Sequence, residues 1–225
     1  MSRAMPQSAS RKGRARPLPP RERKALLLRC AVKVFARCGI QGASYAEIAR
    51  EARVSVPAVF VYFPTRARLV RAVLDEVVRF ALEITQRIHD DVRPAPEIVF
   101  DHGRTLMEML RTHPEYLRVQ LEWGAAIRDE VWPMYLRFQD QLVGIMAATI
   151  RRWREETGSD PDKRVEDDAR LLFSAGPMLA QMTFARVPRH KIEQFLETVV
   201  RDVFGDRALE YRPRPRPAPP IAAGG

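Results

Sequence analysis

The stretch "SYAEIAREARVSVPAVFVYFPTR", Ser44 to Arg66, decides how this chain is read. "SYAE" is a capping box: a serine hydroxyl satisfies the backbone three residues on, and the glutamate there reaches back. That opens a short helix. A second run, Val56 to Tyr62, starts behind Ser55, carries Pro57 in its first turn and is closed by Pro64. It is nearly all apolar, too short for a membrane span and unusually short for a core helix. Two short helices across a turn need apolar residues at fixed offsets to pack. Ile48, Ala49, Ala52, Val54 and Val59 occupy such offsets, with Ala49 small where the helices meet. Arg53 stands where the turn usually has glycine, at a cost on the order of 1 kcal/mol for a left-handed backbone. The pattern reads as a helix-turn-helix, with an ordinary helical hairpin as the alternative.

The charge agrees with the first reading. Residues 1–75 hold 16 Lys+Arg against 4 Asp+Glu, net +12, whereas residues 76–225 hold 22 against 24, net −2. A basic N-terminal third on a nearly neutral body is the footprint of nucleic-acid binding; a merely solubilising surface would spread its charge.

Outside this unit the sequence predicts helices and essentially no strands. Leu27, Ala31, Val34 and Cys38 mark a face from about 21 to 38, closed by Gly39. A long stripe through Leu69, Val73, Val77, Ile84 and Ile88 predicts a helix from about Thr65 to His89. Further helices are expected near 96–112, 115–126, 128–157, 162–186 and 189–205. Pro177 falls inside one of them, where it should kink or interrupt it. Residues 1–20 and 210–225 are low in complexity, rich in Arg and Pro, and are expected to be a disordered basic arm and tail. Between them lie a DNA-binding unit, 21–66, and a larger helical unit, 67–209.

Several classes are disfavoured. No run is long and apolar enough for a membrane helix, and the arginine-rich start lacks the apolar segment of a secretory signal. Cys30 and Cys38 are eight apart on one predicted helix, about 12 Å at roughly 1.5 Å per residue, too far to pair. A cytoplasmic setting fits. His89, His102, His113 and His190 are scattered without metal-ligand spacing, and there is no phosphate-binding glycine loop. No catalytic residue, metal or cofactor is expected.

The run "AVKVFARCGIQGASYAEIAREARVSVPAVFVYFPTRARLV" resembles the DNA-binding domain of the TetR family of bacterial transcriptional regulators. The resemblance rests on Phe35-x-x-x-Gly39, Ile48-Ala49, Val54-Ser55, Phe60-x-x-Phe63 and Thr65-Arg66. "VSVPAVFVYFPTR", Val54 to Arg66, together with "LEWGAAIRDEVWP", Leu121 to Pro133, is similar to the HapR/LuxR-type quorum-sensing master-regulator branch of that family. The resemblance implies an all-α fold, with a three-helix DNA-binding domain and a larger helical ligand-binding and dimerisation domain. It implies a homodimer joined through the last two long helices, a pseudo-palindromic double-stranded DNA operator, and an apolar or amphipathic small-molecule ligand.

In a helix-turn-helix the N-terminal end of the second helix enters the major groove. That assigns Ser55, Val56, Pro57 and Ala58 to the base edges, and the resemblance adds Val61 to the DNA-contacting set. Ser55 alone offers a side-chain hydrogen bond there, unless capping consumes it. Apolar contacts reach thymine methyls but make no bidentate contact, so a relaxed code with a contribution from DNA shape is expected. Val61 departs from the branch, which often has a polar residue there. Ser44 and Tyr45 open helix 2 facing the phosphates; Thr65 caps the next helix, and Tyr62 and Arg66 match the family's phosphate contacts. Phe60 replaces a usual tyrosine and is expected in the small domain's core. Arg14 and Arg16 resemble the branch's minor-groove arm, the alternative being a solvated tail that only releases counterions. Trp123 matches a pocket tryptophan of the branch, with Phe80 and Met178 placed beside it by helix order; the alternative is that Trp123, Trp132 and Trp153 are core. An architectural DNA-binding protein without a ligand is the competing function.

Overall fold

The computed structural model describes residues 18–127 and 130–211. Arg14 and Arg16, and the tail from residue 212, lie outside the described residues. Among those described there are nine α-helices and no strand: α1 Pro20–Gly42, α2 Tyr45–Ala52, α3 Val56–Tyr62, α4 Arg66–His89, α5 Ala95–Thr112, α6 Pro114–Ala125, α7 Trp132–Glu156, α8 Val165–Phe184 and α9 Arg189–Phe204. A 3-10 turn, Asp206–Tyr211, follows α9.

The three-helix unit is held by side chains at the expected offsets. Leu27, Ala31, Val34 and Phe35 of α1 meet Ile48 and Ala49 of α2 and Val59 of α3, all buried. The capping box of α2 is formed, with Ser44 Oγ accepting from the Glu47 N–H at 3.2 Å and the Ser44 N–H donating to Glu47 Oε2 at 3.1 Å. Arg53 adopts the left-handed conformation, φ 54° and ψ 46°, so an arginine does make this turn. Phe63 ends α3 in a non-helical conformation because a residue preceding proline is driven out of the α region.

Gly39 breaks α1 at φ 80° and ψ 164°, and helical pairing resumes for one short turn to Gly42. Only glycine adopts that conformation freely. It is also needed for space: a Cβ here would sit 2.8 Å from Glu122 Oε1. The break frees the Ile40 N–H, which donates to that same carboxylate oxygen at 2.8 Å. The small unit is thus tied to α6 of the body.

In the body α8 packs against α5, α7 and α9, while α4 spans from the small unit to α5, α6 and α7. The α5–α9 approach leaves no room for a side chain at Gly103, where a Cβ would meet the Leu196 methyls at 2.7 and 2.8 Å. Pro177 does not interrupt α8, which runs on to Phe184. The proline forgoes the backbone bond to residue 173, and the tertiary packing of α8 between its neighbours carries the helix through.

Candidate nucleic-acid interface and cavity

α3 projects a face that the domain does not need for its own packing. Val59 and Phe63 point inward and are buried, while Ser55, Pro57 and Val61 are exposed, Val61 by 77%. Ser55 occupies the N-cap backbone position but its hydroxyl makes no cap hydrogen bond. The one polar side chain at the tip of α3 is therefore uncommitted. Ser55→Ala should leave stability unchanged within about 0.5 kcal/mol, whereas loss of a real cap costs about 1 kcal/mol; urea denaturation of the two proteins measures the difference.

Other expected contact residues are occupied within the protein. The Tyr45 hydroxyl donates to the Phe63 carbonyl at 2.8 Å, and its ring stacks on Phe60, centroids 4.0 Å apart and planes 3° from parallel. Phe60 is 44% exposed, not a core residue as the sequence suggested: helical spacing turns it away from Val59, and Tyr45 covers one of its faces. Thr65 caps α4, accepting from the Arg68 N–H at 3.2 Å. Tyr62 is half-buried against the core.

Arg66 departs most from the sequence reading. Its guanidinium donates to the carbonyls of Ile40 and Ala43, lies 3.4 Å from that of Gln41, and sits 5.1 Å from the Phe35 ring centroid. These carbonyls close the last turn of α1, where backbone acceptors lack helical partners. Arg66 is a C-terminal cap for α1, delivered by the first residue of α4. The basic side chains left exposed on α2, the turn after it and the start of α4 include Arg50, Arg53, Arg68 and Arg71, of which the sequence reading had named Arg53 alone, as a turn residue.

A cavity of about 90 Å³ lies in the body, bounded by α4 to α9. Its wall is largely apolar, with Leu106, Met109, Met146, Phe173 and Leu196 among its residues, and Pro177 borders it. The polar lining groups are Thr85, His89, His102 and Gln120. Phe80, Trp123 and Met178 are not among the lining residues. Trp123 is fully buried, donates from Nε1 to the Val131 carbonyl at 2.9 Å, and packs on Tyr135 and Phe138. Phe80 stacks on Tyr116, and Met178 is 44% exposed on the outer side of α8. Helix order could not say which face of each helix turns inward.

His89 and His102, scattered in sequence, meet here. His89 Nε2 lies 3.0 Å from His102 Nδ1, and His89 Nδ1 lies 2.8 Å from Thr149 Oγ1. Enclosure, with the neighbouring His102 and Arg152 adding to it, pushes His89 down to about 3; enclosure alone pushes His102 down to about 4. Both are neutral at pH 7. Unfolding restores their ordinary affinity for protons, so the unfolded chain binds more protons below about pH 6.5. Stability should be undiminished above that pH and fall as pH drops toward 4, by about 1.4 kcal/mol per pH unit for each histidine. Denaturant melts at pH 7 and pH 5 check this, with His89→Phe expected to cut the difference to about half, the share left to His102. Among the described residues no group of three or more His, Cys, Asp or Glu is arranged to hold a metal ion, and no helix is long and apolar enough to cross a membrane.

Residues 27–73 match the family model of bacterial regulatory proteins, tetR family. The helix-turn-helix just described lies inside that match. Residues 27–73 are a TetR-family domain. Over 120 residues the chain is 42% identical to the HTH-type transcriptional regulator LuxR of Vibrio harveyi, an alignment covering 53% of this chain and 58% of that protein's length. The TetR-like fold extends through the body. The crystal structure of the regulator FadR from Bacillus subtilis, in complex with stearoyl-CoA, superposes with a TM-score of 0.65 at 14% identity, covering 80% of this chain and 98% of that one. That of AibR, in complex with isovaleryl coenzyme A and operator DNA, gives 0.63 at 16%, covering 81% and 98%.

Within the TetR-family domain the sequence located the framework correctly: the capping box, the left-handed Arg53, and Ala49, Val59 and Phe63 in the core. It missed Glu122 because its partner is 82 residues away. It missed the histidine pair because two helices, rather than a local spacing, bring the rings together.

Proposed function

We propose that this chain is a homodimeric, sequence-specific DNA-binding transcriptional regulator whose grip on DNA is modulated by a small molecule in the body cavity, with a role linked to quorum sensing. The observation that carries the proposal is the outward face of α3: an uncommitted Ser55 beside exposed Pro57 and Val61, on a helix fixed from behind by Val59 and Phe63. Val56, Ala58 and Val61 supply methyl contacts to thymine, and Ser55 supplies the hydrogen bond. The exposed arginines of the small unit and the +12 charge of residues 1–75 supply the phosphate attraction. Arg14 and Arg16 extend it as an arm toward the minor groove.

Leu171 and Met178, exposed and seven residues apart on one side of α8, support a dimer formed through α8 and α9. Coupling between cavity and DNA runs through α6. That helix contributes Leu117 and Gln120 to the cavity wall and Glu122 to the Ile40 N–H. Ile40 is held by Glu122 on its N–H and by Arg66 on its carbonyl, so a shift of α6 reaches both the end of α1 and the start of α4. FadR and AibR, the structural neighbours, are seen with acyl-CoA ligands, and AibR with operator DNA as well; both support the reading.

The exposed apolar Phe60 and Val61 favour a second reading, a weakly specific architectural DNA-binding protein. Footprinting on genomic fragments separates the two. The regulator protects a discrete pseudo-palindrome in a salt-sensitive way; uniform protection of random DNA at the same concentration overturns it. Ser55→Ala should lose selectivity between operator and random DNA by roughly fivefold, the worth of about one hydrogen bond.

A further inference from the structure

The hydrogen-bond count at the polar end of the cavity favours one direction. Thr149 Oγ1 donates to the Ile145 carbonyl at 3.3 Å. A hydroxyl has one hydrogen, so toward His89 it accepts, and His89 Nδ1, 2.8 Å away, carries the proton. His89 is neutral, as enclosure dictates, and a neutral imidazole has one N–H. Its Nε2 is therefore an acceptor, and His102 Nδ1 at 3.0 Å donates to it. His102 is neutral too, which leaves its Nε2 a bare lone pair. The reverse chain, from Thr149 to His89 to His102, gives up the bond to Ile145 and strands an N–H at the end. It makes two hydrogen bonds where the first makes three.

His102 lines the cavity and is partly exposed. Among the described residues no sealed side-chain nitrogen or oxygen lacks a partner, so the unpartnered Nε2 keeps open surface on a cavity-lining ring. Among the described lining residues there is no Lys, Arg, Asp or Glu. A charged ligand would be desolvated there with no counter-charge among them, Arg152 being the one cation that acts on His89, and desolvation is costly. We propose that the cavity selects a neutral, mainly apolar small molecule carrying a hydrogen-bond donor, of the alcohol or amide N–H class, which donates to His102 Nε2. This rests on the cavity being the ligand site and adds the chemistry that it takes.

The isomers 1-heptanol and 1-methoxyhexane test it, since they share a molecular formula and only the alcohol has a donor. Calorimetric titration of the full chain should give tighter binding of the alcohol by roughly fivefold, with heptanoate weaker than both. Equal or tighter binding of the ether overturns the donor requirement while leaving the cavity as a ligand site. Heat from none of the three overturns both. His102→Phe should bind the ether and lose the preference for the alcohol. If that variant fails to fold, Thr149→Val removes the acceptor that orients the pair. A preference that survives there shows that the relay does not set it, and overturns the proposal.

Discussion

Arg66→Ala is expected to destabilise the DNA-binding unit by about 3 kcal/mol in the absence of any DNA, and to weaken binding to operator and random sequence alike. The side chain satisfies backbone carbonyls at the end of α1 and lies against Phe35. Hydrogen bonds from a charged group contribute about 1.5–3 kcal/mol each, and a cation over an aromatic ring about 0.5–2 kcal/mol. Water replaces part of this at a half-exposed site, which sets the lower total. Arg66→Lys should recover less than half, because an ammonium cannot span two carbonyls with a rigid fork. Denaturant melts of both variants, run beside gel-shift titrations, decide the matter. An alanine variant as stable as the parent but unable to bind DNA would return Arg66 to the phosphate-contacting role that its place in the sequence motif suggests.

Trp123→Ala should cost more, about 3–5 kcal/mol, as expected for deleting a large buried aromatic. The indole is fully buried, packs at 5.5 Å on Tyr135 and at 5.8 Å on Phe138, and its N–H is spent on the Val131 carbonyl. Trp123→Phe keeps most of the burial and loses the N–H, so about 1–2 kcal/mol is expected. The readout is the near-ultraviolet circular dichroism melt. If Trp123→Ala melted like the parent and lost only its response to a cavity ligand, the tryptophan would be a pocket wall and its place in the core would be misread.

These two residues mark where motif reading stops. Thr65-Arg66 and "LEWGAAIRDEVWP" locate the residues correctly in the chain, because helix caps, prolines and apolar periodicity act within a few residues. The direction in which Arg66 turns depends on the free carbonyls at the end of α1, which exist because Gly39 leaves the helix. The surroundings of Trp123 depend on how α7 crosses α6. For Phe60 the helical spacing alone gives the outward position; what it could not give is the cover from Tyr45, which sits on α2, across the turn.

By itself the sequence determined the all-helical fold, the boundaries of the helix-turn-helix, the left-handed Arg53 turn and the inward positions of Val59 and Phe63 on α3, though not the outward one of Phe60. All follow from short-range backbone chemistry and from burial at a period of about 3.6 residues. Only the tertiary structure decided that Arg66 and Tyr45 serve the protein's own backbone, that Ser55 is uncommitted, that Glu122 ties α6 to α1, and that His89 and His102 form the polar end of the cavity. Each of these depends on which groups distant helices bring within about 3 Å, a hydrogen-bond length that leaves no trace in local spacing.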